Sequence, residues 1–166
     1  LKFSYITSLI FFVFLLFFFL LDSNKENEPL AFEGKIMGTT YKVILYGKDI
    51  KTSQIDINNI FERVNQEMST YLANSSISQI NTNDLFEWTK VSKGFINVLS
   101  FAIELCNATN GVYDVSVGRL VNTWGFGPTE ASHLTQDEEK NIMEEVGCDS
   151  VQFNHESVRR LKEVHL

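Results

Sequence analysis

Apolar positions along this chain change their spacing several times, and each change marks an element. Leu9 to Leu21 is an unbroken apolar run, Leu-Ile-Phe-Phe-Val-Phe-Leu-Leu-Phe-Phe-Phe-Leu-Leu, preceded by Lys2. A helix of that composition in a globular domain needs burial all round, which the polar remainder does not supply. The run is shorter than a full membrane span and suits the apolar region of a signal peptide. Asp22 to Pro29 is polar and Pro-terminated, as linkers are. From Phe32 to Tyr46, β-branched and aromatic residues recur, with Tyr41, Val43 and Leu45 on one face and Ile44 and Tyr46 on the other. This predicts a strand pair, or one long bent strand, broken at Gly38. Gly47-Lys48-Asp49 supplies a turn.

A helical period then takes over at Ile57, Ile60, Phe61, Val64 and Met68, capped by Thr52 or Ser53 and ending near Thr70. Ser75 or Ser76 caps a short helix through Ile77 and Ile80, and Trp88 to Val91 is strand-like. Ser92 opens a helix carrying Phe95, Leu99, Ala102, Ile103, Cys106 and Ala108, with Gly111 suited to the C′ position. Thr135-Gln-Asp-Glu138 is a capping box for a helix carrying Ile142, Met143 and Val146 and ending at Gly147. Val151 to Phe153 and Val158 to Leu161 read as strands around a polar turn. The order β, α, α, β, α, turn, α, β, β predicts an α+β domain with a mixed sheet and packed helices, not regular βαβ winding.

Composition narrows the partners. A net charge of -7 over 166 residues argues against nucleic acid or an anionic membrane surface. Arg159-Arg160-Leu-Lys162 is the one local basic cluster, so a phosphate-rich ligand must be held by backbone N–H groups or by a metal. Two cysteines, Cys106 and Cys148, permit a disulfide in an oxidising compartment but carry little information by count. Cys106, on an apolar helix face, reads first as a small hydrophobe. Cys106, Cys148, His133, His155 and His165 have no metal-ligand spacing, and Glu138, Glu139, Glu144 and Glu145 read as a solvated helix face.

The candidate chemistry concentrates in Ala108-Thr-Asn-Gly-Val-Tyr-Asp-Val-Ser-Val-Gly-Arg-Leu-Val-Asn-Thr-Trp-Gly-Phe-Gly127. A helix stops at Gly111, and Val112, Tyr113 and Asp114 follow with backbone groups that no helix satisfies. Glycine lets backbone approach a ligand closely, an aromatic offers a flat face, and Asp114 can accept from a ribose hydroxyl or a ring N–H. Trp124 and Phe126 read as packing residues, scaffold more than contact.

This stretch resembles the core of the ApbE-type flavin transferases, which read T-x-G-x-[FY]-D followed by L-[VW]-x-x-W-G-[FW]-G. Gly34-Lys-Ile-Met-Gly-Thr-Thr-Tyr-Lys-Val43 resembles the family's opening G-x-x-M-G-T-x-[YW] strand. Met68-Ser-Thr-Tyr-Leu-Ala-Asn-Ser-Ser-Ile-Ser-Gln-Ile-Asn81 resembles its next block, S-x-[YF]-x-x-x-S-x-[IL]-x-x-[IL]-N. Three blocks in order make the resemblance specific over roughly residues 33 to 166, although Met-Gly-Thr alone is common. It implies an ApbE-like, T-fold-like domain over 32–166, incomplete at its C-terminus, after a signal peptide or signal anchor over 1–22 and a linker over 23–31.

The resemblance also implies a function: transfer of FMN from FAD to a Ser or Thr hydroxyl of an acceptor flavoprotein, such as a subunit of a membrane redox complex, with release of AMP. Met37 and Tyr71, with Val112, Tyr113 and Asp114, are the implied FAD-binding residues. A thioether against an aromatic ring and a tyrosine that stacks are physically suited to flavin. Phosphoryl transfer of this kind uses Mg2+, whose ligands and the catalytic residues are expected downstream of Leu166. Alternatives are a periplasmic FAD-binding protein without transfer, and Mg2+-dependent hydrolysis of FAD to FMN and AMP. The implied location is the periplasmic side of a bacterial inner membrane, with the N-terminal apolar segment as anchor; a lipid anchor lacks its cysteine after that segment.

Overall fold

A computed structural model describes residues 29–166 together with Phe11, Phe12 and Phe14. Apart from those three, the expected signal segment, residues 1–22, lies outside the described residues. No described helix is long and apolar enough to cross a membrane. The chain divides into two compact units between Ile57 and Asn58.

The first unit contains an antiparallel hairpin of β1 (Leu30–Ile36) and β2 (Thr39–Leu45), in register from Leu30↔Leu45 to Ile36↔Thr39. The strand-pair alternative is therefore the observed one, and the linker expected over 23–31 stops short, because Leu30 and Ala31 already pair with Leu45 and Ile44. A two-residue loop, Met37–Gly38, closes the hairpin with φ of 51° and 73°. Positive φ at both positions is what matches the right-handed twist of the flanking strands. Gly34 faces the Tyr41 ring, which lies where a Cβ would sit at 2.7 Å. The Tyr41 hydroxyl accepts from Gln54 Nε2.

Helix α1 (Gln54–Met68) begins as its cap predicts. Ser53 Oγ accepts from Asp56 N–H at 3.2 Å, while Asp56 Oδ2 accepts from Ser53 N–H at 2.9 Å. The Ser53 hydroxyl, donating to Asp56 Oδ2 at 2.7 Å, and then the Ser53 N–H hold the Asp56 carboxyl below its ordinary range.

In the second unit, β3 (Thr89–Lys90), β4 (Val151–Phe153) and β5 (Ser157–Arg160) form an antiparallel sheet in the order β3-β5-β4. Helices α2 (Ser76–Thr82) and α3 (Lys93–Ala108) supply the apolar face over it. Ile80, Val91, Phe95, Leu99, Val151, Val158 and Val164 make one buried cluster. Ser75 and Ser92 cap the two helices, accepting from Ser78 N–H and Phe95 N–H. Helix α4 (Gly118–Thr123) was not predicted: it is one and a half turns with no side-chain cap, too short to show a period. Helix α5 (Gln136–Glu145) starts in the predicted capping box.

Two expectations are corrected here. Cys106 is not a free hydrophobe: it is bridged to Cys148, with 5.8 Å between the Cα atoms and a sequence separation of 42. The end of α3 is a Schellman motif in which Asn110, not Gly111, holds C′. Gly111 N–H reaches back to Cys106 O at 2.9 Å and Asn110 N–H to Asn107 O at 3.2 Å. Asn tolerates the left-handed geometry (φ 52°) that position requires.

Candidate functional site

Tyr71 stands in the turn after α1. Its N–H donates to Ser69 Oγ at 3.2 Å, and its ring is exposed. The turn is shaped by fully buried Ser75, which donates through Oγ to Ser69 O at 2.6 Å. The Tyr71 hydroxyl reaches Phe126 O at 3.5 Å, a long contact that still brings the α1–α2 turn to the Trp-Gly-Phe-Gly turn across 55 residues.

The turn after α3 differs from expectation in one respect. The N–H groups of Val112 and Tyr113 are not free: they donate to Thr109 O at 3.3 Å and Thr109 Oγ1 at 3.1 Å. What the turn offers is side chain. Val112 is 90% exposed, and Tyr113 is also exposed. Asp114 Oδ1 accepts from both the N–H and the hydroxyl of Ser116, at 2.8 and 2.7 Å. Its position is therefore fixed, and Oδ2 has no protein donor among the described residues. Buried Ser116 in turn accepts from Gly147 N–H at 3.0 Å.

Trp124 and Phe126 were expected as scaffold, and this is corrected: they are 54% and 78% exposed. The turn is held by its backbone instead. Phe126 N–H donates to Val121 O, and Gly127 packs so closely on Asn122 that a Cβ would fall 1.9 Å from Asn122 Oδ1.

A cavity of about 350 Å3 lies between these turns. Thr70, beside Tyr71, and Val115, beside Asp114, both line it, with Asn122, Phe126 and His165. The segments bearing Tyr71 and Asp114 thus meet at one place within the second unit. Tyr71, Val112, Tyr113 and Asp114 themselves are not among its lining residues; their chain neighbours are. Met37 belongs to the first unit, on the hairpin loop, and is 52% exposed. A non-glycine residue at φ 51° stores strain of roughly 1–2 kcal/mol.

Sequence reasoning missed the floor of the cavity. Asn81 clamps the end of the chain with a pair of bonds: Nδ2 donates to Leu166 O at 3.1 Å and Oδ1 accepts from Leu166 N–H at 2.9 Å. His165 bridges in parallel to Val117, and its carbonyl accepts from Gly118 N–H at 2.9 Å. Burial, then the charges of Arg160 and Arg119, lower the proton affinity of His165, against the opposing pull of Glu163. Arg160 is itself buried, donating to Val164 O at 3.0 Å and to Asn83 O. Such contacts between distant segments leave no periodic trace.

Cys106, Asp114 and Cys148 are the only group of three potential metal ligands among the described residues. Because both sulfurs are in the disulfide, that group reduces to one carboxylate. A hard divalent cation needs several oxygen ligands, and this cluster does not supply them.

The ApbE family profile matches residues 37–166. The FAD:protein FMN transferase of Vibrio cholerae is 39% identical over 123 residues, covering 71% of this chain and 37% of that protein. The FAD:protein FMN transferase of Haemophilus influenzae is 41% identical over 111 residues, covering 63% of this chain and 32% of that protein. Among solved structures, the H257G mutant of the flavin transferase ApbE from Vibrio cholerae superposes with a TM-score of 0.76 at 32% identity, over 84% of this chain and 48% of the other. The Pseudomonas stutzeri flavinyl transferase ApbE, at 18% identity and a TM-score of 0.76, shares the fold. The chain thus spans about 37% of the length of the first of these curated relatives.

Proposed function

The chain belongs to the ApbE family, and we propose that it serves in FAD:protein FMN transfer, with Met37, Tyr71, Val112, Tyr113 and Asp114 as its flavin-nucleotide contacts. The observation that carries this reading is the meeting of the Tyr71 and Asp114 segments at one cavity, with the exposed Phe126 ring in its lining and Tyr71 and Tyr113 exposed on the same two segments. Exposed rings offer faces for a flavin or adenine to stack on. Asp114, fixed through Oδ1, keeps Oδ2 for a ribose hydroxyl or ring N–H. Met37 is held in a strained turn, the kind of backbone found at ligand-clamping positions.

In the proposed reaction a Ser or Thr hydroxyl of an acceptor flavoprotein attacks the FMN phosphorus of FAD. The new P–O ester bond forms as the pyrophosphate P–O bond breaks; AMP leaves with the electron pair, and the hydroxyl proton goes to solvent or a base. Residues 29–166 position the nucleotide in this scheme. Mg2+ would neutralise charge on the pyrophosphate, held by oxygen ligands other than the Cys106, Asp114 and Cys148 group. The proposed location is the exported, periplasmic side of the inner membrane, with residues 1–22 as a signal peptide or anchor. A disulfide supports an oxidising compartment.

The test incubates the full-length protein with FAD, Mg2+ and an acceptor carrying the target Thr, then seeks covalent flavin fluorescence in a denaturing gel. A fluorescent acceptor band is expected. FMN and AMP released without a band would move the reading to FAD hydrolysis, and FAD retained unchanged would move it to binding without transfer. An intact set of oxygen ligands for the metal in the full-length protein would favour either enzyme reading, and its loss would favour binding without transfer.

A further inference from the structure

We propose that the Cys106–Cys148 disulfide and Ser116 form a redox-dependent positioning relay for Asp114, so that flavin-nucleotide affinity depends on the oxidation state of the pair. The proposal rests on the assignment of Asp114 to the nucleotide site. Cys106 is the last buried residue of α3 and is 0% exposed, and its carbonyl accepts the Gly111 N–H that ends the helix. The disulfide therefore ties the start of the Val112–Asp114 turn to Cys148, across 42 residues.

Gly147, next to Cys148, donates its N–H to Ser116 Oγ at 3.0 Å, and Ser116 passes its own hydroxyl hydrogen to Asp114 Oδ1 at 2.7 Å. The two sulfurs and a carboxylate oxygen of Asp114 lie within 4.8 Å of one another. One covalent bond thus fixes both ends of a hydrogen-bond chain that terminates on the candidate ligand. Ser116 is 1% exposed, so water does not readily replace Gly147 as its donor.

Reduction by a dithiol converts the disulfide to two thiols, taking up two electrons and two protons as the reductant closes to its own disulfide. Two thiol groups need more room than a disulfide, and nothing then holds Cys148 against α3. Gly147 is released from Ser116, the Ser116 hydroxyl is free to turn, and the Asp114 carboxylate keeps only the Ser116 N–H, so its orientation loosens. A dithiol-bearing periplasmic reductant is the class of partner that would act on it.

The experiment measures FAD affinity by fluorescence quenching on the full-length protein, oxidised and dithiol-reduced, with thiol titration confirming each state. Near-ultraviolet circular dichroism selects a temperature at which both forms are folded. Reduction is expected to weaken binding about tenfold, the scale of one hydrogen bond to a charged group. Ser116→Ala, with its disulfide intact, is expected to lose a similar factor, and its reduction is expected to add little further. A general structural role predicts additive losses instead, which would overturn the relay. Equal affinity in both oxidation states would overturn the relay alone; absence of FAD binding in either state would overturn the flavin reading and the relay with it.

Discussion

Reducing the Cys106–Cys148 bond should cost the fold a large fraction of its stability. The bridge closes a loop of 42 residues that contains α4, α5 and the whole candidate nucleotide turn. In the chain-entropy treatment, a loop of that length restricts the unfolded ensemble by ~13 cal/mol/K, or about 4 kcal/mol at 25 °C. Domains are typically stable by only about 5–15 kcal/mol, so the reduced form should sit near the lower margin. Urea unfolding followed by far-ultraviolet circular dichroism reads this directly. With a denaturant slope of roughly 2 kcal/mol/M, the midpoint should fall by about 2 M on reduction at unchanged slope. A shift under about 0.5 M, with two thiols titrated per chain, would refute the reasoning and mean that the unfolded chain is already constrained without the bridge.

Three further outcomes follow from particular contacts. Met37→Asn relieves a strained turn position, so it should stabilise the β1–β2 hairpin by about 1 kcal/mol while weakening FAD binding, checked by hydrogen exchange of the hairpin amides and by FAD titration. Opposite signs for the two effects distinguish a ligand contact from a packing residue; a loss in both contradicts the assignment. Arg160→Leu leaves the Val164 and Asn83 carbonyls without donors in a buried site and should destabilise by about 2–4 kcal/mol, and Arg160→Lys should recover only part of it, since lysine lacks the guanidinium fork. For His165, the folded proton affinity lies below the ordinary 6.5, so the unfolded chain binds the proton first. Stability is then fully present above about pH 6.5 and falls as pH drops toward the lowered folded value; His165→Gln should flatten that slope in melting temperature against pH.

Elements with a long period and a side-chain cap were legible in the chain. Helices α1, α3 and α5 start within a residue of their predicted caps, because Ser53, Ser92 and Thr135 satisfy N–H groups that the helix itself leaves open. The three motif blocks identified the family, whose profile matches residues 37–166, because they fix specific turns as well as core positions. What could not be read depends on partners far away in sequence. Arg160 looks like one member of a surface basic cluster until Asn83 and Val164 are found around it. Two cysteines permitted the Cys106–Cys148 bridge without requiring it, and the short α4 has no second turn in which a period could appear. Trp124 and Phe126 misled for another reason: large aromatics usually mean packing, whereas this pair is exposed in a turn held by its backbone.

The measurement that bears most directly on the proposed site is a crystal structure of the full-length protein with FAD bound. The predicted result has the nucleotide against Tyr71 and the Val112–Asp114 turn, with Asp114 Oδ2 accepting a ligand hydrogen bond and the Met37 thioether against the flavin ring. FAD ordered elsewhere, with Tyr71, Asp114 and Met37 all clear of it, would contradict the assignment.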